Sequence, residues 1–141
     1  MVSTFVNNTF VNNRLTAKSS SLSDKTNGGS AIYFKSGSGS LNLVNNTIVG
    51  NTDSCYTTSG VPSVNFNGSA VHVISGKVRL VNNIIAGNFS SAAAAGEVYL
   101  GESASLQNST YNLYGGADRM NITAKSTDMV CRNYDRCVQD L

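Results

Sequence analysis

Residues 41–51, Leu-Asn-Leu-Val-Asn-Asn-Thr-Ile-Val-Gly-Asn, limit what this chain can fold into more than any other feature, because the chain repeats them. Residues 5–13 are an upstream copy. Residues 78–88 keep the apolar positions, the double Asn and the closing Asn in the same order, and residues 104–112 form a degraded fourth copy. Self-similarity of this kind marks a solenoid, in which each repeat buries its apolar face only against its neighbours. A second unit precedes three of the copies, at residues 29–34, 68–73 and 96–100. Each alternates apolar and polar residues, as a half-buried strand does. A short glycine-bearing turn follows it, at residues 35–39, 75–77 and 101–103.

The spacing predicts three short strands per repeat: the alternating unit, the segment around Leu41 and Leu43, and the segment 47–49, with a corner at the double Asn between the last two. Loops at 14–27, 52–67 and 89–95 close the repeats and account for an uneven period, 37 residues from Leu43 to Leu80 but 26 from Leu80 to Leu106. Insertion at one corner with the rest of the rung fixed is what a solenoid tolerates. No helical period intervenes, so the fold class predicted is all-β, a parallel β-helix of about three to four rungs over residues 1–116, with an irregular, partly disordered coil over 117–141. Stacking at the usual strand spacing puts Ile32 and Phe34 over Val71 and Val73 and then Val98 and Leu100. It also puts Leu41 and Leu43 over Val78 and Leu80, and Ile48 between Phe10 and Ile85.

The same stacking gathers Asn7, Asn45, Asn82 and Asn108 into one corner column, and Asn13, Asn51 and Asn88 into another. A corner turns the backbone out of the sheet and leaves peptide groups unpaired. An amide side chain can donate to one rung and accept from the next, so these residues read as a structural asparagine ladder.

Composition adds exclusions. The 141 residues suit one domain, and 40% hydrophobic content suffices for a continuous core. Charged residues are 13% against roughly 25% in a typical domain, and Asn, Ser, Thr and Gly fill the gap. The net charge of +2 comes without a basic run, so no nucleic-acid partner is expected, and no apolar run nears the roughly 18 residues of a membrane span. The chain opens inside a repeat with no signal peptide and no capping unit, so it reads as a fragment of a longer solenoid. Of the three cysteines, Cys131 and Cys137 are near enough in sequence to form a disulfide, which would place the protein in an oxidising compartment; three reduced thiols is the equal alternative. No metal or other cofactor is expected, since there is no Cys-x-x-Cys and His72 is the only histidine.

The Gly-Gly-Ser-Ala-Ile of residues 28–32, followed by a Val-Asn-Asn rung, resembles the right-handed parallel β-helix (pectate-lyase-like) of bacterial secreted and surface proteins. The Phe-x-x-Asn units at Phe5 to Asn8 and Phe10 to Asn13 are similar to the repeats of polymorphic outer-membrane autotransporters. Val-Asn-Asn-Ile-Ile-Ala-Gly-Asn at 81–88, with Tyr-Asn-Leu-Tyr-Gly-Gly at 111–116, resembles more closely the surface-anchored β-helix proteins of Bacteroidetes. The likeness covers residues 2–116 and implies a right-handed solenoid on a secreted or cell-surface parent protein. It implies no one activity, since lyases, tail-spikes and adhesins share the scaffold.

Catalysis on acidic polysaccharide would need clustered carboxylates. Nearly all of the eight present fall in loops or the tail, and Glu97 with Glu102, beside Lys77 and Arg79, reads as a solvated salt-bridge patch. One outward column offers more: Tyr33, His72 and Tyr99 occupy equivalent positions on successive rungs, with Arg79 and Asn42 on the neighbouring strand as polar partners. Rings at that spacing can stack on sugars, or simply on one another. The function expected is therefore a non-catalytic adhesin, stalk or contact surface for polysaccharide or host glycan. The alternatives are part of a polysaccharide lyase or hydrolase whose catalytic rungs lie elsewhere, and a module that forms a homo-oligomer through uncapped β-helix ends.

Overall fold

The computed structural model describes residues 1–19, 28–57, 70–90, 96–116 and 120–131. Among them it contains no helix, and every strand pairing is parallel. The strands fall into three sheets. The first holds β1 (Val2–Val6), β4 (Ile32–Val44), β7 (Val71–Val81) and β10 (Val98–Leu106) in that spatial order. The second holds β2 (Thr9–Val11), β5 (Thr47–Val49), β8 (Ile84–Ala86), β11 (Leu113–Tyr114) and β12 (Met129–Val130); the third holds β3 (Arg14–Ser19), β6 (Thr52–Thr57) and β9 (Phe89–Ser90). The chain thus visits the sheets in rotation, and each strand lies beside its equivalent from the next repeat.

Register follows the apolar columns. Ile32 pairs with Val71 and Val71 with Val98; Leu41 pairs with Val78 and Leu43 with Leu80; Phe10 pairs with Ile48, Ile48 with Ile85 and Ile85 with Tyr114. Most of these side chains are buried and form one cluster between the first and second sheets, with Phe5, Phe10, Leu100 and Leu106 packed at its margins. A one-residue slip would turn every such side chain outward, so burial fixes the pairing.

Three details differ from expectation. The alternating unit and the segment around Leu41 are not separate strands: β4 and β7 run through the intervening turn, which survives as register shifts near Phe34, Lys35 and Ser40. The third strand of each rung is instead β3, β6 or β9, in stretches expected to be loop. Those strands bury Asp53, Ser54 and Ser90, so no alternation of apolar residues announces them. Finally, the fourth copy is displaced. Leu106 pairs with Val78, Thr110 bridges Val81, and the Leu80 amide donates to Ser109 Oγ at 2.9 Å. Asn108 is therefore exposed and outside the Asn7, Asn45 and Asn82 column, and Tyr111 stands there in its place. The offset from the preceding repeat grows from 27 residues at Val98–Val71 to 28 at Ser103–Ser75 and 29 at Thr110–Val81, so Asn108, 26 residues after Asn82, falls three positions short of its column. Past residue 116 the stack continues, with Met120 bridging Val98 and β12 pairing with β11.

Candidate functional site

Each corner of the rung is built from two residues with separate tasks. At the first corner Asn7, Asn45, Asn82 and Tyr111 have φ of 57°, 56°, 54° and 59°, and at the second Asn12, Gly50 and Gly87 have φ of 54°, 65° and 71°. These left-handed residues turn the chain; Asn and Gly tolerate that conformation, whereas a larger side chain is strained. A Cβ on Gly50 would also lie 2.6 Å from Asn12 Oδ1.

The residue that follows carries the ladder. Asn8 Nδ2 donates to Asn46 Oδ1 (3.3 Å), Asn46 Nδ2 to Asn83 Oδ1 (3.1 Å), and Asn83 Nδ2 to Asn112 Oδ1 (3.0 Å). The backbone N–H of each donor residue reaches the same oxygen at 2.9–3.0 Å. The second amide hydrogen turns back to the preceding rung, as from Asn83 to Leu43 O at 2.9 Å and from Asn112 to Leu80 O at 2.9 Å. Asn13, Asn51 and Asn88 form the second ladder, with Asn13 Nδ2 donating to Asn51 Oδ1 (2.8 Å) and Asn51 Nδ2 to Asn88 Oδ1 (2.9 Å). Asn46, Asn83, Asn112, Asn51 and Asn88 are fully buried and satisfied, as buried amides must be. The interior ladder at the first corner is thus formed by the second Asn of each pair; Asn7, Asn45 and Asn82 face solvent beside it.

Both ladders end on carboxylates. Asn112 Nδ2 and N donate to Asp128 Oδ1 at 3.2 and 2.8 Å, and Lys125 N donates to Asp128 Oδ2 at 2.7 Å. Asn88 Nδ2 donates to Glu97 Oε2 at 2.5 Å. A carboxylate only accepts, so it closes a series in which every amide donates in the same direction. Glu97 is fully buried, which overturns its reading as part of a solvated salt-bridge patch with Glu102, Lys77 and Arg79. Gly115 makes room for it, since a Cβ there would fall 2.4 Å from Glu97 Oε1. In the register that pairs Ile84 with Leu113 and Ile85 with Tyr114, Gly115 and Gly116 stand opposite Ala86 and Gly87, and no Asn follows them before Asn121.

The ring column assembles as a herringbone. Tyr33 pairs with His72 and His72 with Tyr99 in register; the rings meet edge to face, with centroids 5.8 and 5.1 Å apart and planes at 67° and 80°. His72, expected to point outward and be open, is 0% exposed, while Tyr33 is 46% exposed and Tyr99 is half-buried. Neither His72 nitrogen has a hydrogen-bond partner among the described residues. Burial pushes its imidazole down to about 4, so the ring is neutral at physiological pH. Burial and then the Glu102 carboxylate push the Tyr99 hydroxyl up. Arg79 does not join the rings. It lies beyond the Gly76 turn on β7, pairs with Asn42, and is exposed in a shallow groove with Ser40, Lys77 and Gln107.

Cys131 is disulfide-bonded. Cys137 lies outside the described residues, as do Asp24, Asp118, Asp135 and Asp140. Among the described residues no three His, Cys, Asp or Glu side chains gather as a metal site would require, and no helix is long and apolar enough to cross a membrane. No family model, curated protein or solved structure matches the chain.

Proposed function

We propose that the chain is a stretch of right-handed parallel β-helix from a secreted or cell-surface bacterial protein, of the pectate-lyase-like surface type, and that it is a non-catalytic contact surface for polysaccharide. The rotation of three parallel sheets and the two corner ladders support the solenoid. The disulfide at Cys131 supports an oxidising destination. The roles of Glu97 and Asp128 support a non-catalytic reading, because both are engaged as acceptors that end the ladders.

The observation that carries the contact surface is the outer face of the first sheet. There the half-exposed Tyr33 ring is held edge-on by His72, and Arg79, Lys77, Asn42 and Gln107 line a shallow groove on the same sheet. Buttressed rings offer apolar area at low entropic cost, and the flanking cations and amides supply polar partners. His72 is a buried spacer that sets the two tyrosines rather than a third contact ring. Glycan-array binding by the parent chain and by the Tyr33→Ala/Tyr99→Ala double variant tests this reading. Binding to at least one acidic glycan, which the Lys77 and Arg79 cations favour, is expected and should be lost in the double variant; acidic-glycan binding that the variant keeps, or none by the parent, contradicts the proposal.

A further inference from the structure

Tyr111 stands where the three earlier rungs carry Asn7, Asn45 and Asn82, at a φ of 59° that suits Asn and strains a tyrosine. Nothing in the core offsets that strain, for the residue is 66% exposed and stacks on no other ring among the described residues. Backbone outliers of this kind concentrate where a ligand is held.

The ring borders an open groove of about 430 Å³ along the corner between the first and second sheets, within the size range of small-molecule sites. Asn45 and Asn82 line it with Thr47, Ile84 and the 68% exposed Met129, and none of the described residues of its lining carries a charge. Asn82 Nδ2 donates to Asn45 Oδ1 at 2.8 Å on the surface. The Asn45 amide hydrogens and Asn82 Oδ1 are left without protein partners among the described residues. The backbone along the groove is committed between rungs: Ile84 N donates to Asn46 O, Leu113 N to Asn83 O and Met129 N to Asn112 O, at 2.7–2.9 Å.

We infer that this corner groove is a binding subsite for a neutral saccharide chain, with Tyr111 as the stacking platform and Asn45 and Asn82 as partners for hydroxyl groups. A peptide strand would need free backbone groups, which the groove does not offer. A uronate, sulfate or phosphate would need a cation, and the described residues of the lining include none. A neutral pyranose has an apolar face for the ring and hydroxyls that both donate and accept. Its repeat along a chain is close to the roughly 4.8 Å spacing of the rungs. The site is distinct from the Tyr33 face, though it rests on the same reading of the module as a glycan-contact surface.

Affinity electrophoresis through gels holding hydroxyethylcellulose, glucomannan, mannan or dextran, with polygalacturonate as the charged control, tests it. At least one neutral polymer is expected to retard the parent chain. Tyr111→Asn, which restores the residue of the other rungs, should weaken that binding about tenfold while melting no lower than the parent, and Tyr111→Phe should keep it. The Tyr33→Ala/Tyr99→Ala chain should bind the neutral polymer as the parent does. Retardation by polygalacturonate alone, by no polymer, or equally in Tyr111→Asn overturns the inference, as does a Tyr111→Asn chain that melts below the parent. Loss of binding in the Tyr33/Tyr99 variant alone leaves the outer-face reading standing and removes this one.

Discussion

Three residues carry costs that their neighbours explain. His72 is held neutral between Tyr33 and Tyr99, with its pKa at about 4 against 6.5 in the unfolded chain. The unfolded state therefore binds the proton first. Its contribution to stability is complete above pH 6.5 and is lost as pH falls from 6.5 towards 4, at up to about 1.4 kcal/mol per pH unit. Urea midpoints measured at pH 7 and pH 5 should show this acid limb, and His72→Phe should flatten it while leaving stability at pH 7 nearly unchanged. Tyr111 holds strain of about 1–2 kcal/mol, so Tyr111→Asn should raise the melting temperature by roughly 2–5 °C. Gly115 admits the Glu97 carboxylate; Gly115→Ala should destabilise the chain by about 1–3 kcal/mol, read from urea unfolding, because a buried group must be displaced.

At the scale of the element, the unit of construction is a corner dipeptide: a left-handed residue that turns the chain, then a buried Asn that ties three rungs together. Asn82 and Asn83 separate the two tasks. Asn83→Ala would strip partners from Asn46 N and Nδ2, Leu43 O and Asn112 Oδ1, and at 1–3 kcal/mol for each buried group left unsatisfied should cost about 3–5 kcal/mol. Asn82→Ala changes the turning residue and removes one surface hydrogen bond to Asn45, and should cost about 1 kcal/mol. Equal losses in thermal or urea unfolding would contradict the division. This is also where the sequence was least legible. The double Asn announced a ladder, but two adjacent amides carry no mark of which one faces inward; the choice is set by the left-handed turn that swings the second side chain under the rung. The acidic ends of the ladders were illegible because Glu97 arrives from the bend before β10 and Asp128 from a later segment.

At the scale of the molecule, the apolar columns were readable because Ile, Leu and Val recur at equivalent positions and burial permits one register. The third sheet was not, because the side chains it buries include Asp53, Ser54 and Ser90 and its strands mimic a polar loop. The ring column could be placed but not its exposure, which depends on what covers His72. The disulfide at Cys131 predicts that this thiol resists alkylation until a reductant is added, which peptide mass mapping would read. The central claim is that two interior amide ladders hold parallel rungs in register. Hydrogen exchange of side-chain amides, followed by NMR, tests it most directly. The Nδ2 protons of Asn46, Asn51, Asn83, Asn88 and Asn112 should be strongly protected while those of Asn7, Asn45 and Asn108 exchange at rates typical of solvent-exposed amides; uniform fast exchange across both sets would contradict the account.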